Sequence, residues 1–157
     1  MSMRAVLHLE HKRYFQNHGH ILFEGLAPVS DCKQLEAELK LFLKEVAVVK
    51  DRHLQRWREN VHRTLPEVQM IVKRVRLDHL AAELTHRSRV ALVRDLWVQK
   101  QEEIFFDDCD CSVLLCLSGE KAGWGLFFSG EYPQDVFNWG AGDTAIILRF
   151  SSAGFPN

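Results

Sequence analysis

The sequence has few cysteines, no long hydrophobic run and almost no net charge. Three of its four cysteines lie within residues 109–116, a spacing that does not suit a disulfide framework. The longest apolar runs, such as residues 112–117, are far shorter than the roughly 20 residues of a membrane-spanning helix. The start Met-Ser-Met-Arg has no apolar signal region. We therefore expect a soluble cytoplasmic protein with reduced thiols.

The formal net charge of −1 hides an uneven distribution. Residues 50–94 hold eleven basic and five acidic side chains, and residues 95–157 hold three basic and ten acidic ones. The balance excludes a chain-wide attraction to nucleic acid or anionic membrane. Because the basic residues alternate with apolar ones at helical spacing, we interpret residues 50–94 as solvated helix faces. The alternative, that this segment is a polyanion-binding module, is kept as one of three functional hypotheses.

Several catalytic motifs are missing. Neither of the glycine-rich phosphate-binding patterns occurs, and no G-x-S-x-G nucleophile motif is present. No histidine follows His86, so serines in the second half have no histidine base close in sequence. Cys32 lies on a predicted buried helix stripe and Cys116 in an apolar strand, which indicates core residues rather than nucleophiles.

The length of 157 residues suits a single domain with one core. Residues 1–87 are predicted to be mainly helical, with a short strand near 20–24. Gly19 suits the end of the first helix, and Ser30 or Asp31 suits the start of the second. The predicted helical stretches are 3–18, a helix from about residue 30 to 46, 51–64 and 66–86.

Residues 88–157 have β-strand character. Ten of the sixteen aromatic residues fall between positions 105 and 155, among short apolar runs separated by glycine and aspartate. These runs are residues 112–118, 123–128, 136–139 and 143–150. The sequence therefore predicts an α+β fold with N-terminal helices packed on a jelly-roll-like (double-stranded β-helix) antiparallel β-region.

The order of these elements resembles one enzyme family. The segments GHILFEGL, ELTHRSRVALVRDLWV, SVLLCLSG and GWGLFF, followed by WGAGDTAIILRF, are similar to the phytanoyl-CoA dioxygenase-like branch of the 2-oxoglutarate/Fe(II) oxygenases. The most specific part is the Gly-Asp turn at 140–148. In that family the turn leads to a late strand before an iron-ligating histidine.

The iron ligands that this resemblance would require are absent. Such oxygenases use two histidines and a carboxylate, whereas all eight histidines here precede the β-region. The one H-x-E motif, at residues 8–10, lies in the first predicted helix. We therefore expect a non-catalytic, degenerate member of that scaffold, without iron ligands, that acts in ligand binding or protein interaction.

One cluster could hold a metal. Residues 107–111 (Asp-Asp-Cys-Asp-Cys) bring three carboxylates and two thiols together, but the C-x-C spacing does not match structural zinc pairs. We interpret them as an acidic turn before a strand, and metal binding through Asp107, Asp108, Cys109, Asp110 and Cys111 stays open. The alternative function uses these aspartates with a helical histidine in an Fe(II)/2-oxoglutarate-type oxygenase or another metalloenzyme.

Four residues are candidate ligand contacts. A charged Arg149 in an interior strand needs a carboxylate, carbonyl groups or an anionic ligand, and an internal salt bridge is the favoured reading. Trp124, Phe128 and Trp139 are placed to line the mouth of a β-region, although aromatic core packing explains them as well. No catalytic residue, cofactor or metal ligand is assigned. The expected partner is an unknown protein or small molecule, not a membrane or nucleic acid, and homodimerisation is left open.

Overall fold

A computed structural model describes residues 7–49 and 58–152. These residues form four α-helices and one five-stranded antiparallel sheet, so the predicted α+β class, with N-terminal helices against an antiparallel β-region, is confirmed. In chain order the elements are α1 (Leu9–His18), β1 (His20–Phe23), α2 (Val29–Val49), a 3₁₀ helix (Val61–Arg63), α3 (Pro66–Val75), α4 (Leu77–Leu84), β2 (Ala91–Val98), a second 3₁₀ helix (Gln101–Glu103), β3 (Cys111–Cys116), β4 (Gly125–Phe128) and β5 (Ala145–Ser151).

The strand order across the sheet is β1-β4-β3-β5-β2. Strands β4, β3 and β5 are interior, whereas β1 and β2 lie at the two edges. Every residue of β3 is buried, which explains why its sequence is apolar at consecutive rather than alternate positions. Because β3 and β5 lie between other strands, their side chains are buried on both faces of the sheet.

Different parts of the chain cover the two faces of the sheet. On one face the strands join the helices in a cluster that includes Leu35, Leu39, Val68, Leu80 and Phe127. On the other face Leu114, Leu126 and Ile147 pack with side chains from the connecting segments, among them Phe137 and Tyr132. Strands β3, β4 and β5 are therefore covered on both faces, with helices on one side and irregular chain on the other.

The helix boundaries follow local signals at two places. Gly19 ends α1 in the left-handed conformation, with φ 75° and its N–H donated to the Phe15 carbonyl, as predicted. Helix α2 begins at Val29, one or two residues before the predicted caps. Helix α1 begins at Leu9, and residues 3–6 of the predicted 3–18 helix lie outside the described part.

The predicted helix over 66–86 is two helices. Arg76 takes a left-handed conformation with φ 63°, ending α3 and preceding α4. The break turns the chain so that both helices bury an apolar face, including Ile71 and Leu80, against the same core. Periodicity alone did not locate it because arginine is not a typical helix-ending residue.

The predicted helix over 51–64 is wrong for residues 58–64, while 51–57 lie outside the described residues. Glu59 forms a backbone bridge to Leu96, and Asn60 is left-handed with φ 55°. The buried Asp95 carboxylate accepts the N–H groups of Val61 and His62 at 2.8 and 2.9 Å. This contact from β2 replaces the hydrogen bonds that a helix would make there.

The predicted strand at 136–139 is also wrong. Val136 ends a turn, in which its N–H donates to the Pro133 carbonyl at 3.2 Å, and residues 137–139 are irregular. Phe137 is buried over the second face of the sheet, and Tyr132 donates to the Phe137 carbonyl at 2.7 Å. The apolar residues of this segment cover the sheet instead of joining it.

No helix within residues 7–49 and 58–152 is both long and apolar enough to cross a membrane.

Candidate functional site

The charge of Arg149 is balanced by groups inside the protein. Its side chain is 1% exposed and donates to the Ser112 hydroxyl at 3.0 Å and to the Phe105 carbonyl at 2.8 Å. Its Nε lies 3.6 Å from an Asp107 oxygen, so the favoured internal salt bridge is present. Burial lowers the pKa of Arg149, and Asp107 opposes that effect. The requirement for an anionic partner, which made Arg149 a candidate, is met by its own neighbours.

The aromatic candidates form part of a packed layer. The Trp124 and Phe137 rings lie 6.1 Å apart, and the Phe137 and Trp139 rings 6.5 Å apart. The indole N–H of Trp139 donates to the Gln99 carbonyl at 3.1 Å. Phe128 is 1% exposed, with Tyr132 edge-on to it at 5.4 Å. As ligand contacts these residues remain a prediction.

The four candidates do not converge on one pocket. Strand register puts Phe128, Ser112 and Arg149 in one row across the sheet. Trp124 lies beside Cys116, four residues further along β3, because its carbonyl accepts the Cys116 N–H. Four residues of strand separate the rows by about 13 Å. The rows therefore separate Arg149 from Trp124, whereas Phe128, Trp124 and Trp139 belong to one buried cluster.

The acidic segment 107–111 is held by arginines and backbone. Asp107 accepts two hydrogen bonds from Arg94, one of them at 2.7 Å, and Asp110 lies 3.4 Å from Arg87. Asp107 raises the pKa of Arg94 through its hydrogen bond. In the ranges that the structure describes, no three His, Cys, Asp or Glu side chains are grouped as metal ligands. This geometry supports the interpretation as an acidic turn before β3.

The buried cysteines are poor nucleophiles. Burial raises the pKa of Cys32 to about 12 and that of Cys116 to about 11. Burial also raises the pKa of Cys111. Because the thiolate is the reactive form, these three side chains are core residues, as the sequence indicated for Cys32 and Cys116.

A cleft that the sequence did not predict lies between α3, α4 and the start of β2. Its volume is about 310 Å³, near the lower end of the range for small-molecule sites. Apolar side chains in the cleft are Val72, Ala82, Val90, Ala91 and Leu92; polar ones are Gln69, Lys73, Asp78, His79, Ser88 and Arg89.

The charges in this cleft favour an anionic occupant. The cationic side chains that line it are Lys73 and Arg89, and the carboxylate is Asp78. Arg89 already interacts with another group, so Lys73 is the cation on which the argument depends. One Asp78 oxygen accepts the backbone N–H of His79 at 3.0 Å. Val72 and Val90 are buried beside the exposed Lys73 and Arg89. An apolar floor with a lysine at the rim suits a ligand that has an acidic group and an apolar part.

The sequence carried a partial signal for this cleft. Gln69 and Lys73 are four residues apart and so share one face of α3. Both belong to the basic stretch 50–94, which was interpreted as a solvated face. The approach of Ser88 to Leu92 against that face is a tertiary contact that periodicity does not report.

Comparisons with known proteins give a family but no activity. A family model described as a domain of unknown function, DUF5070, matches residues 3–156. The 1.8 Å structure of CT296 from Chlamydia trachomatis is 88% identical, covers 98% of this chain and 100% of its own, and has a TM-score of 0.88. A 2.5 Å structure of Se-Met labelled CT296 from the same organism is 89% identical, covers 97% of this chain and 100% of its own, and also has a TM-score of 0.88. No curated protein matches.

These matches overturn the resemblance to phytanoyl-CoA dioxygenases. The family model spans nearly the whole chain and is a different family, and the similar structures are of CT296. The Gly-Asp pattern that suggested the enzyme marks a local turn, in which the Asp143 N–H donates to the Gly140 carbonyl at 3.1 Å before β5. Such a turn precedes apolar strands in many unrelated folds, so it does not identify a family.

Proposed function

The chain belongs to the DUF5070 family, and we propose that it is a non-catalytic binding protein whose cleft between α3, α4 and β2 holds a carboxylate- or phosphate-bearing ligand. The observation that carries this proposal is the pairing of a buried apolar floor with Lys73 at the rim of a cleft of about 310 Å³.

The apolar floor and the cations contribute in different ways. Contact with Val72, Val90 and Leu92 removes the apolar part of a ligand from water, at about 25 cal/mol per Å². A charge-assisted hydrogen bond from Lys73 adds about 1.5–3 kcal/mol and selects an acidic group. The ligand is therefore amphipathic, with its anionic group toward the rim.

A non-catalytic role is supported by how the reactive groups are used. Asp107 and Asp110 are engaged by arginines, and burial suppresses ionisation of Cys32 and Cys116. The cleft presents side chains that hold an anion, and its carboxylate, Asp78, is bonded to backbone.

Isothermal titration calorimetry with matched aromatic probes tests the proposal. We expect phenyl phosphate and benzoate to bind, and benzylamine, which has the same ring with a positive charge, not to bind. Lys73→Glu should weaken phenyl phosphate binding at least about tenfold, the equivalent of about 1.4 kcal/mol.

Arg63→Glu is the matched control for that variant. Arg63 is an exposed arginine in the same basic segment, and it does not line the cleft. This variant should bind phenyl phosphate as the parent protein does. Equal binding of phenyl phosphate and benzylamine, or equal effects of the two variants, would contradict the proposal.

A further inference from the structure

The cleft that suits an anion also contains a carboxylate. Lys73 and Asp78 both line the same space of about 310 Å³, yet no ion pair joins them. An ionised carboxylate can only accept hydrogen bonds, so it repels an anion that has no proton to donate. Asp78 therefore restricts the kind of anion that can bind beside Lys73.

Asp78 has one oxygen left for a ligand. It is the second residue of α4, and one of its oxygens accepts the backbone N–H of His79 at 3.0 Å within the first turn of that helix. Its other oxygen accepts no hydrogen bond from residues 7–49 and 58–152, and the side chain is half-buried. This second oxygen is the acceptor that Asp78 offers to an occupant of the cleft.

The cleft also holds donors that are not engaged elsewhere. The side chains of Gln69, Lys73 and Ser88 form no hydrogen bond or ion pair with the part of the chain that the structure describes. Gln69 and Lys73 lie four residues apart on one face of α3, and Ser88 precedes β2. An amide, an ammonium and a hydroxyl group together can donate about six hydrogen bonds. One acceptor thus stands among several donors.

A phosphate monoester matches this combination. Its second pKa is about 6, so its singly protonated form carries one P–OH donor beside oxygens that only accept. A sulfate ester and a carboxylate carry no proton near neutral pH, and either would place a bare oxygen against Asp78. Discrimination between anions of similar shape commonly uses such a repulsive contact together with an attractive one.

We infer that the cleft is specific for a phosphate monoester, whose anionic oxygens bind Lys73 and whose P–OH group donates a hydrogen bond to Asp78. Gln69 and Ser88 supply further donors to the same oxygens, and the apolar part of the ester covers Val72. Asp78 is therefore a specificity-determining residue. This inference rests on the proposed function, since it chooses phosphate over carboxylate as the ligand of the same cleft.

Isothermal titration calorimetry of the full chain with phenyl phosphate and phenyl sulfate at pH 6 tests the inference. Both esters have a phenyl ring and a tetrahedral head group, but about half of the phenyl phosphate carries a P–OH proton at this pH and phenyl sulfate carries none. The other ionisable groups of the cleft, Lys73, His79 and Arg89, are the same in both titrations. We expect phenyl phosphate to bind at least about tenfold more tightly than phenyl sulfate.

Asp78→Asn separates hydrogen bonding from charge. The amide can donate to either ester, so we expect phenyl sulfate to bind more tightly and the ratio of the two affinities to fall below about threefold. If Asp78 acted by its charge alone, its removal would favour the more highly charged phosphate at least as much, and the ratio would not fall. Glu83→Gln is the matched control, because Glu83 is an exposed acid of the same helix that does not line the cleft.

The outcomes separate this inference from the proposed function. If Lys73→Glu weakens phenyl phosphate binding but the preference over phenyl sulfate is missing, or survives Asp78→Asn, the phosphate inference is wrong and the anion cleft stands. If phenyl phosphate binding does not depend on Lys73, both are wrong. A preference that Asp78→Asn removes and Glu83→Gln keeps, in variants shown to be folded by circular dichroism, supports the inference.

Discussion

At the scale of single residues, Asp95 is the side chain that connects the sheet to the segment before α3. It is 3% exposed, and its carboxylate accepts the backbone N–H groups of Val61 and His62 and the His62 side chain. Replacing it by alanine leaves these donors without an acceptor in a partly buried place. We expect Asp95→Ala to lower the free energy of unfolding by about 2–4 kcal/mol, measured by urea denaturation.

Asp108→Asn provides the comparison for Asp95. Asp108 is exposed, and its substitution should change the free energy of unfolding by less than about 0.5 kcal/mol. An Asp95→Ala protein as stable as Asp108→Asn would show that the Asp95 contacts do not hold the segment.

Asp107 stabilises two arginines, one of which is buried. It accepts hydrogen bonds from Arg94 and lies 3.6 Å from Arg149, which is 1% exposed. Asp107→Ala leaves the charge of Arg149 without its carboxylate in the core. We expect a loss of about 3 kcal/mol in urea denaturation, and a loss below about 1 kcal/mol would show that the Phe105 carbonyl and Ser112 suffice.

At the scale of elements, Gly123 fits the start of β4 against the chain before α2. Its φ is +88°, and an added Cβ would lie 2.4 Å from the backbone oxygen of Ala27. The Ala27 N–H also donates to the Gly123 carbonyl at 3.0 Å, so the two segments cannot separate without losing that bond. We expect Gly123→Ala to cost about 3 kcal/mol, from conformational strain together with the backbone clash.

Gly130 isolates the conformational part of that cost. Its φ is +79°, and a Cβ there would have nothing within 4 Å. Gly130→Ala should therefore cost only about 1–2 kcal/mol in the same denaturation measurement. Equal costs for the two substitutions would mean that the contact with Ala27 yields without a penalty.

The contact of Glu36 in α2 with Thr144, just before β5, predicts that the stability of the fold depends on pH. Desolvation pushes the pKa of Glu36 upward, but hydrogen bonds from Ser118 and Thr144 outweigh it and hold the pKa below its ordinary 4.5. The unfolded chain therefore takes up this proton at a higher pH than the folded protein does. The stabilisation is complete well above pH 4.5 and is lost as the pH falls through the lowered pKa of the folded state.

Asp110 makes stability depend on pH in the same direction as Glu36 does. Desolvation raises its pKa, but the Ser152 backbone N–H and Arg87 bring it below its ordinary 3.8. We expect the melting temperature to fall between about pH 6 and pH 3, and to fall less in a Glu36→Gln/Asp110→Asn protein. Parallel curves for the two proteins would contradict the assignment of this acid sensitivity to these carboxylates.

Elements that are marked by the spacing of their own apolar residues were predictable from the sequence. The apolar positions of α2 and the consecutive apolar residues of β5 are set by burial of the element itself, and the sequence located both. Residues 58–64 and 136–139 were predicted wrongly because contacts with distant parts of the chain determine their conformation. Asp95, 34 residues from Val61 in sequence, holds the first, and burial of Phe137 over the sheet holds the second.

At the scale of the whole molecule, the opposite charges of the two chain regions pair with each other. Arg58 lies 2.9 Å from Glu103, Arg87 3.4 Å from Asp110, and Arg94 binds Asp107. Each of these ion pairs joins the basic segment 50–94 to the acidic segment 95–157. The segregation of charge seen in the sequence therefore contributes to packing one region of the chain against the other.

This pairing bears on the polyanion-binding hypothesis. Four arginines of the basic segment (Arg58, Arg74, Arg87 and Arg94) already have carboxylate partners, which reduces the net positive charge that the segment presents to phosphates. We expect affinity for duplex DNA, measured by anisotropy, to change with salt by a slope of no more than about 1 in log–log form, one phosphate contact or less. A slope of several units would favour a nucleic-acid interface on residues 50–94.

The candidate site was hardly predictable at this scale. Lys73 and Arg89 belong to different elements, and their cleft exists because Arg76 turns α4 back against α3. Arg149 was predictable as a buried charge in need of a partner, but Asp107 became that partner only through folding. Sequence patterns describe one element at a time, whereas this cleft is formed between three.

The central claim is that this protein binds an anion between α3, α4 and β2. Titrating ¹⁵N-labelled protein with phenyl phosphate and following the backbone amide signals tests it most directly. We expect the largest shifts at Lys73, His79 and residues 88–92, with the signals near Trp139 and Arg149 unmoved. Shifts centred on Trp139 or Arg149, or no saturable shift at all, would contradict it.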